Sequence, residues 1–146
     1  MREINAEETC KLYECLEMLA EHHNKVSAYF QGCYPLTSSE QKIRQFEQEL
    51  AQGRSRIAVA ENADDQVIGF CKIRTDADPG VLEYLAVLDQ ERGKGYGAAF
   101  MDWALNTFRE LGIKEIDVKV VYGNEAIQFY KKYGFRERSV ILTLNR

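Results

Sequence analysis

Residues 85–98 read Leu85-Ala86-Val87-Leu88-Asp89-Gln90-Glu91-Arg92-Gly93-Lys94-Gly95-Tyr96-Gly97-Ala98. The apolar segment 81–88 leads into alternating glycines, and an amphipathic pattern begins directly after them. Glycine permits positive φ and has no Cβ to obstruct a ligand, so successive backbone N–H groups can converge on an anion. A helix N-terminus adds partial positive charge there, and Arg92 and Lys94 add full charges. The pattern predicts a strand, a phosphate-binding loop and a helix in succession.

Other interpretations of this stretch are open. The glycines would also suit a tight turn flanked by solvated basic side chains. A nucleoside-triphosphate P-loop is disfavoured because no Ser or Thr follows Lys94. Residues 93–98 do satisfy the G-x-G-x-x-A pattern of dinucleotide-binding folds, and Asp117 lies where a ribose-binding acid is expected. The chain after Ala98 is too short for the remaining crossovers of a doubly wound domain, which disfavours a nicotinamide-dependent dehydrogenase.

The whole chain, residues 1–146, has the length of one domain. Helical and strand periodicities alternate along it, without an internal repeat or a Pro/Ser-rich linker. The predicted helices are 7–21, 37–51, 98–111 and 124–133, and the predicted strands are 56–61, 67–74, 81–88 and 113–122, followed by one last strand or a pair of strands in 135–144. Hairpin-like neighbours come first and βαβ-like crossovers later, so we expect an α/β (α+β) domain with a mixed sheet covered by helices.

Composition argues against several classes of protein. Apolar residues make up 45% of the chain, enough for a packed core, but no apolar run reaches the roughly 20 residues of a membrane span. The N-terminus is acidic and lacks a secretory pattern, and the four cysteines form no C-x-x-C pair. We therefore expect a cytoplasmic protein with free thiols and no membrane partner. The net charge of −4 argues against a nucleic-acid partner.

Charge is unevenly distributed along the chain. Residues 1–91 carry 9 Lys and Arg against 17 Asp and Glu, whereas residues 92–146 carry 10 against 6. A basic C-terminal part suits a polyanionic ligand and an acidic N-terminal part suits a cationic one, although chance asymmetry on a solvated surface explains the counts as well.

A second motif lies at residues 124–135 and reads Asn124-Glu125-Ala126-Ile127-Gln128-Phe129-Tyr130-Lys131-Lys132-Tyr133-Gly134-Phe135. It resembles the N-x-x-A-x-x-F-Y-x-x-x-G-F block of the GCN5-related N-acetyltransferase (GNAT) superfamily. Residues 92–97 resemble the [RQ]-x-x-G-x-[GA] signature of the same family, and residues 85–87 resemble its fourth strand. One spacing differs, because the family usually has seven residues from Asn to Tyr where Asn124 to Tyr130 is six, so Gly123 is an alternative for the Asn position.

The resemblance covers about residues 57–144 and implies a small single-domain acyl-CoA N-acyltransferase fold. Its sheet is mixed and mostly antiparallel, with a splayed parallel strand pair at the cofactor. The implied co-substrate is acetyl-CoA, with its pantetheine arm on the backbone of β-strand residues and its pyrophosphate on the glycine loop. The implied contacts are Leu85, Ala86, Val87, Arg92, Gly93, Lys94, Gly95, Tyr96, Gly97, Ala98, Asn124 and Tyr130.

The implied reaction is direct transfer of an acetyl group to a primary amine of a small molecule or peptide, without a metal or a covalent acetyl-enzyme. Tyr130 takes the position of the family's general acid, although its helical stripe with Phe129 and Tyr133 also suits an ordinary core aromatic. Glu83 is the first candidate for the base, because a period of two places it on one face with Leu85 and Val87. A strand-end charge in solvent is the other interpretation of Glu83, and Asp117 or water are alternative bases. A non-catalytic acyl-CoA-binding or sensing module is the alternative function.

The acceptor site is expected among the N-terminal helices and the loops near Tyr34 and residues 76–80, where acidic side chains favour a cationic amine. Adjacent His22 and His23 cannot easily face one site on a helix, so no metal is expected. Because many relatives of this fold dimerise, a homodimer is also an expectation.

Overall fold

A mixed five-stranded sheet with helices on both faces organises the chain in the computed structural model. The structure describes residues 1–26, 37–120 and 126–144, without the side chains of His23 and Val26. The strands are β1 (Arg2–Glu3), β2 (Ser55–Glu61), β3 (Val67–Arg74), β4 (Gly80–Val87) and β5 (Ile116–Val118). The helices are α1 (Tyr13–Val26), α2 (Ser39–Ala51), α3 (Tyr96–Glu110) and α4 (Ala126–Lys132), with 3₁₀ turns at Ala6–Leu12 and Asp89–Glu91.

The strands lie in the sheet in chain order, β1-β2-β3-β4-β5. The pairings from β1 to β4 are antiparallel, and β4 pairs with β5 in parallel. This arrangement confirms the predicted mixed, mostly antiparallel sheet, and it lacks the doubly wound parallel strands that a dinucleotide-binding interpretation requires.

The centre of the core is β3 rather than β4. Seven of the eight residues of β3 are buried, whereas β4 alternates between buried and half-buried positions. The even-numbered side chains of β3 face α2, since Lys72 Nζ lies 4.7 Å from the Phe46 ring centroid. The other face of β3 packs on α3, where a Cβ added to Gly69 would lie 3.2 Å from Phe100. The continuous apolar run of β4 thus marks a strand that is only partly covered.

Helix starts follow local sequence signals. Ser38 caps α2 in a capping box with Gln41, which confirms the predicted start of this helix. The N-terminal helix begins differently from the prediction: Asn5 caps a 3₁₀ turn, and the α-helix then runs from Tyr13 to Val26. The first turns of α1 and its preceding 3₁₀ segment bury Leu12 and Leu16 against the sheet.

The strand expected at residues 135–144 is not formed, and the strand expected at 113–122 is shorter than predicted. Within the described residues, 135–144 contain no helix or strand. Four apolar side chains there are 77–91% exposed, at Val140, Ile141, Leu142 and Leu144. Strand propensity is realised only where a partner edge exists. The ladder of β5 covers three residues, and a single ion pair of 2.7 Å joins Arg138 to Asp117 on it.

Three of the four cysteines lie within the described residues. Cys15 and Cys71 are buried free thiols, Cys10 is an exposed one, and Cys33 lies outside the described residues. In the part of the chain that the structure describes, no helix combines the length and the apolar character of a membrane span.

Candidate active site

A cleft of about 460 Å³ opens where β4 and β5 separate. The parallel pairing covers only residues 80–82 of β4 and 116–118 of β5, and the strands diverge beyond it. Five segments line the cleft: β4, the glycine loop with the start of α3, helix α1, the end of β5 with the residues after it, and helix α4. The lining residues of β4 and the glycine loop are Glu83, Tyr84, Leu85, Ala86, Val87, Glu91, Arg92, Gly93, Gly95, Tyr96 and Gly97. The other lining residues are Met18, Leu19 and His22 of α1, Val118, Lys119 and Val120 at and after the end of β5, and Ala126, Phe129 and Tyr130 of α4.

The edge of β4 that faces this cleft carries unpaired backbone groups. Leu88 N–H donates to Ile68 O of the β3 side at 2.9 Å. Because N–H groups alternate sides along a strand, the N–H of Ala86 also points toward β3, and those of Leu85 and Val87 point toward the open edge. The backbones of Leu85 and Val87 are therefore accessible for pairing with an extended ligand, whereas that of Ala86 is engaged within the sheet.

The glycine loop presents bare backbone at the start of α3. Gly93 and Gly95 have φ of +81° and +88°, and a Cβ at either position would have no atom within 4 Å. Their role is conformational, since L-residues with side chains rarely adopt this φ. Gly95 is the N-cap residue of the 15-residue α3, and no side chain caps the helix. No capping side chain accepts a hydrogen bond from the first N–H groups of α3, so these groups can donate to a bound anion.

The basic residues of the loop are paired with nearby acids. Arg92 lies 3.4 Å from Asp89, and Lys94 Nζ donates to Glu91 at 2.8 Å. The Glu91 carboxylate raises the pKa of Lys94, mainly through this hydrogen bond. Of the predicted loop residues, Lys94 and Ala98 do not line the cleft, and the Lys94 side chain is directed at Glu91 instead.

Tyr130 is at once a core aromatic and a wall of the cleft. It is 9% exposed, and its ring lies 5.6 Å from that of Phe129 and 5.9 Å from that of Phe135. Burial, with a smaller contribution from Cys71 beneath it, raises the pKa of Tyr130 to about 12. Its hydroxyl is therefore protonated throughout the neutral and mildly alkaline range. Asn124 and Gly123, the other candidates from the same motif, lie outside the described residues.

Glu83 lines the cleft, but the expectation that it shares a face with Leu85 and Val87 is wrong. The register of β3 with β4 shifts by one residue, from Lys72 opposite Tyr84 to Ile73 opposite Leu82. Glu83 is the extra residue of this β-bulge, so the period of two changes phase there. Its carboxylate is directed at Lys72, on the face of β3 opposite that of Cys71, the partner of Leu85.

A cluster of buried charges surrounds the Glu83 carboxylate. Lys72 is fully buried, and its Nζ lies 2.7 Å from Glu83 Oε1 and 3.3 Å from Glu49 Oε1. Arg74 lies 3.4 Å from Glu49, 2.8 Å from Asp76 and 3.8 Å from Glu83. A buried ammonium is costly unless charged or polar partners offset its desolvation, and the two glutamates do so here.

The other predicted acids lie away from the cleft lining. Asp117 on β5 is ion-paired with Arg138 at 2.7 Å and does not line the cleft. Asp78 accepts hydrogen bonds from the backbone N–H groups of Lys114 and Glu115, and Asp76 is held by Arg74. These two carboxylates therefore fix the turn before β4, and the loop 76–80 contributes no residue to the cleft wall. Tyr34 lies outside the described residues.

The sequence predicts the N-terminal helices near the acceptor site but not which face of α1 lines the cleft, and it does not predict the partner of Glu83. Met18, Leu19 and His22 line the cleft from α1, and their spacing of three to four residues marks one helix face. Lys72 had a signal of its own, because a lone Lys in the apolar strand Val67–Arg74 calls for an acid on a neighbouring strand. Among the described residues, no group of three or more His, Cys, Asp and Glu is placed to hold a metal ion.

Comparisons with known proteins agree on one family. Residues 53–137 match the model of the acetyltransferase (GNAT) domain. A curated relative, the [ribosomal protein bS18]-alanine N-acetyltransferase of Haemophilus influenzae, is 30% identical over 74 residues, which are 51% of this chain and 51% of that protein. The chain thus matches about half the length of that relative.

Solved structures share the fold along nearly the whole chain. A tetramutant of a Bacillus halodurans protein matches with a TM-score of 0.78 at 18% identity, over 99% of this chain and 98% of that one. A Clostridium acetobutylicum protein, described as a predicted acetyltransferase with acetyl-CoA, matches with a TM-score of 0.73 at 19% identity, over 99% of this chain and 94% of that one. With the family match over residues 53–137, the chain belongs to the GNAT acetyltransferase family.

Proposed function

We propose that this chain transfers the acetyl group of acetyl-CoA to a primary amine of a small-molecule or peptide acceptor. The observation that carries the proposal is that one cleft contains both an uncapped helix N-terminus with its glycine loop and the side chains of Tyr130 and Glu83. An anion site and two proton-transfer groups in one cavity suit a reaction in which a bound thioester meets an amine.

The described residues fit acetyl-CoA as a substrate. The bare backbone at Gly93 and Gly95 and the first N–H groups of α3 would hold the pyrophosphate, within the segment 92–98. Arg92 and Lys94 would exchange their present carboxylate partners for phosphate oxygens. The backbone of Leu85 and Val87 would pair with the pantetheine arm as with an added strand, since β5 has diverged there.

In the proposed reaction the amine loses a proton to the Glu83 carboxylate, directly or through water. Its nitrogen then attacks the thioester carbonyl, and backbone N–H groups at the open edge of β4 stabilise the oxyanion. The C–S bond breaks as the carbonyl reforms, and the Tyr130 hydroxyl donates a proton to the departing sulfur. The nitrogen, positively charged after the attack, gives its second proton to the Tyr130 phenolate, directly or through water, and Glu83 releases its proton to solvent. Cys71 and Cys15 are poor candidates for an acetylated intermediate, because burial raises the pKa of Cys71 and raises that of Cys15 to about 12.

The acceptor is proposed to be cationic and to enter between α1 and Glu83. Its amine would meet the Glu83 carboxylate, which lies on the cleft wall and is 22% exposed. The name of the Haemophilus influenzae relative makes a peptide alanine one acceptor to test beside small amines. We also propose that the reaction takes place in the cytoplasm and without a resident metal.

One observation favours a second candidate, a non-catalytic acyl-CoA-binding module. Glu83 is already ion-paired with Lys72 at 2.7 Å, so an incoming amine would have to share this carboxylate with a resident ammonium. Such a module would keep the glycine loop and release no coenzyme A in the presence of amines.

The first experiment is calorimetric titration of the chain with acetyl-CoA, comparing Gly95→Ala with Gly53→Ala. Both glycines have positive φ and open space at the Cβ position, but only Gly95 lies at the cleft. We expect wild type and Gly53→Ala to bind alike, and Gly95→Ala to bind about tenfold more weakly or worse because its loop amides are displaced. Absence of acetyl-CoA binding to the wild type would refute the proposal.

The second experiment measures thiol release from acetyl-CoA with spermidine and with a short peptide that begins with alanine. Release that depends on either amine supports the transferase. Binding of acetyl-CoA without release across an extended amine panel supports the non-catalytic module instead.

A further inference from the structure

We propose that Lys72 is a positioning residue whose buried ammonium holds the Glu83 carboxylate at the acceptor end of the cleft. The inference rests on the proposed function for its kinetic part, while its structural part is independent of any activity.

The contacts of Lys72 are directed at Glu83 more closely than at any other described carboxylate. Its Nζ donates a hydrogen bond of 2.7 Å to Glu83 Oε1, and its distance to Glu49 is 3.3 Å without a hydrogen bond to either Glu49 oxygen. The Phe46 ring lies beneath the ammonium with its centroid at 4.7 Å. The lysine is fully buried and has little freedom, whereas the Glu83 side chain is 22% exposed toward the cleft. The pair therefore has one fixed member in the core and one member that reaches the ligand space.

A buried ion pair such as Lys72–Glu83 is expected to contribute little to the stability of the fold. Replacing a buried ion pair by apolar groups of similar size is often neutral or stabilising, because the desolvation of both charges is avoided. The β-bulge also supports a positioning role, because it removes Glu83 from the regular alternation of β4 and turns its side chain toward Lys72. Bulge and ammonium act together to present a carboxylate at a defined place on the cleft wall.

Other charged groups near Glu83 do not duplicate this role. Arg74 lies 3.8 Å from Glu83 and makes its shortest ion pair, 2.8 Å, with Asp76. Glu49 on α2 shares both cations. Lys42 on α2 lies over the Tyr84 ring at 5.8 Å, and His22 of α1 lines the same cleft. Only Lys72 combines complete burial with a hydrogen bond to Glu83 among these groups.

The test compares the double variant Lys72→Met/Glu49→Gln with Glu49→Gln alone. The added Glu49→Gln change prevents an unpaired buried carboxylate, and Lys42→Met serves as a control that removes a neighbouring ammonium without touching Glu83. In crystal structures we expect Glu83 to keep its position in Glu49→Gln and Lys42→Met and to leave the cleft wall in the double variant. Unchanged Glu83 positions in all three would overturn the proposal.

The kinetic part uses acetyl-CoA with the alanine peptide or spermidine, whichever is acetylated. We expect kcat of the double variant to fall by about tenfold to a hundredfold relative to Glu49→Gln, with the KM for acetyl-CoA unchanged, because a displaced reacting group lowers turnover and not cofactor binding. Equal kcat values, or a loss confined to acetyl-CoA binding, would overturn it. If no amine of the extended panel is acetylated by the wild type, the proposed function fails while the crystal structures still decide the position of Glu83.

A second measurement needs no Lys72 variant and covers the case in which the double variant does not fold. The ammonium of a buried, hydrogen-bonded lysine gives a ¹H–¹⁵N signal that is protected from solvent. We expect Glu83→Gln to shift or broaden the Lys72 signal and Asp76→Asn to leave it unchanged. A Lys72 signal that is insensitive to Glu83→Gln would overturn the proposal.

Discussion

Tyr130→Phe tests the proposed acid with the smallest available change. It removes only the hydroxyl and keeps the ring that packs on Phe129 and Phe135 at 5.6 and 5.9 Å. Tyr133→Phe is the matched control. Tyr133 directly follows α4 and its ring lies 5.3 Å from that of Phe129, but Tyr133 does not line the cleft. Any effect specific to Tyr130 therefore reports the hydroxyl in the cleft.

The expected magnitude follows from the state of that hydroxyl. Burial raises the pKa of Tyr130 to about 12, so only about 1% of it is ionised at pH 10, where an exposed tyrosine would be about half ionised. General acid catalysis contributes about 10² to 10⁴ in rate. We therefore expect kcat to fall by about 100-fold or more in Tyr130→Phe, which corresponds to about 2.7 kcal/mol of activation free energy.

The assay is thiol release from saturating acetyl-CoA, measured from neutral to alkaline pH with an accepted amine. We expect the KM for acetyl-CoA to be similar in the two variants and the kcat of Tyr133→Phe to match wild type. Equal kcat in Tyr130→Phe and Tyr133→Phe would refute the acid role. A loss of wild-type activity centred near pH 10 that Tyr130→Phe abolishes would refute the argument from burial.

Two further predictions concern stability. A Cβ at Gly80 would lie 2.5 Å from Cε1 of the buried Phe108. Gly80→Ala should therefore lower the free energy of unfolding, measured by urea denaturation, by about 1–3 kcal/mol. If this clash is the cause, adding Phe108→Leu to Gly80→Ala should restore part of the lost stability. Burial also raises the pKa of both Tyr84 and Tyr130 to about 12. Because the folded-state pKa exceeds the ordinary value near 10, this contribution to stability is complete below about pH 10 and is lost as the pH rises toward 12. Urea titrations across this range should show that loss, with a smaller slope in Tyr84→Phe; an equal slope would contradict the assignment.

The glycine loop illustrates what local sequence predicts well. The run from an apolar strand through Gly93 and Gly95 into α3 depends on conformational freedom and helix periodicity, which are properties of the residues themselves. The structure gives both glycines positive φ and begins α3 directly after them. The same holds for the capping box at Ser38, where two side chains three residues apart define the start of α2.

The site walls illustrate what local sequence does not predict. The strand period of two predicts that Glu83 faces the same side as Leu85. A β-bulge that depends on the pairing with β3 turns Glu83 toward Lys72 instead. The sequence predicts the N-terminal helices near the acceptor site, but only the packing of α1 decides that Met18, Leu19 and His22 line the cleft. The apolar segment at the C-terminal end has strand propensity but no ladder in the described residues, since propensity supplies no partner edge.

By itself the sequence determined the order of most helices and strands, the anion-binding loop and the resemblance to one family, because these depend on neighbours within a few residues. The tertiary structure alone decided which backbone edge of β4 stays open, which acids face the cleft and which lysine meets Glu83. Those outcomes depend on contacts between distant segments, where register shifts and the cost of burying a charge select one arrangement among many that the local pattern permits.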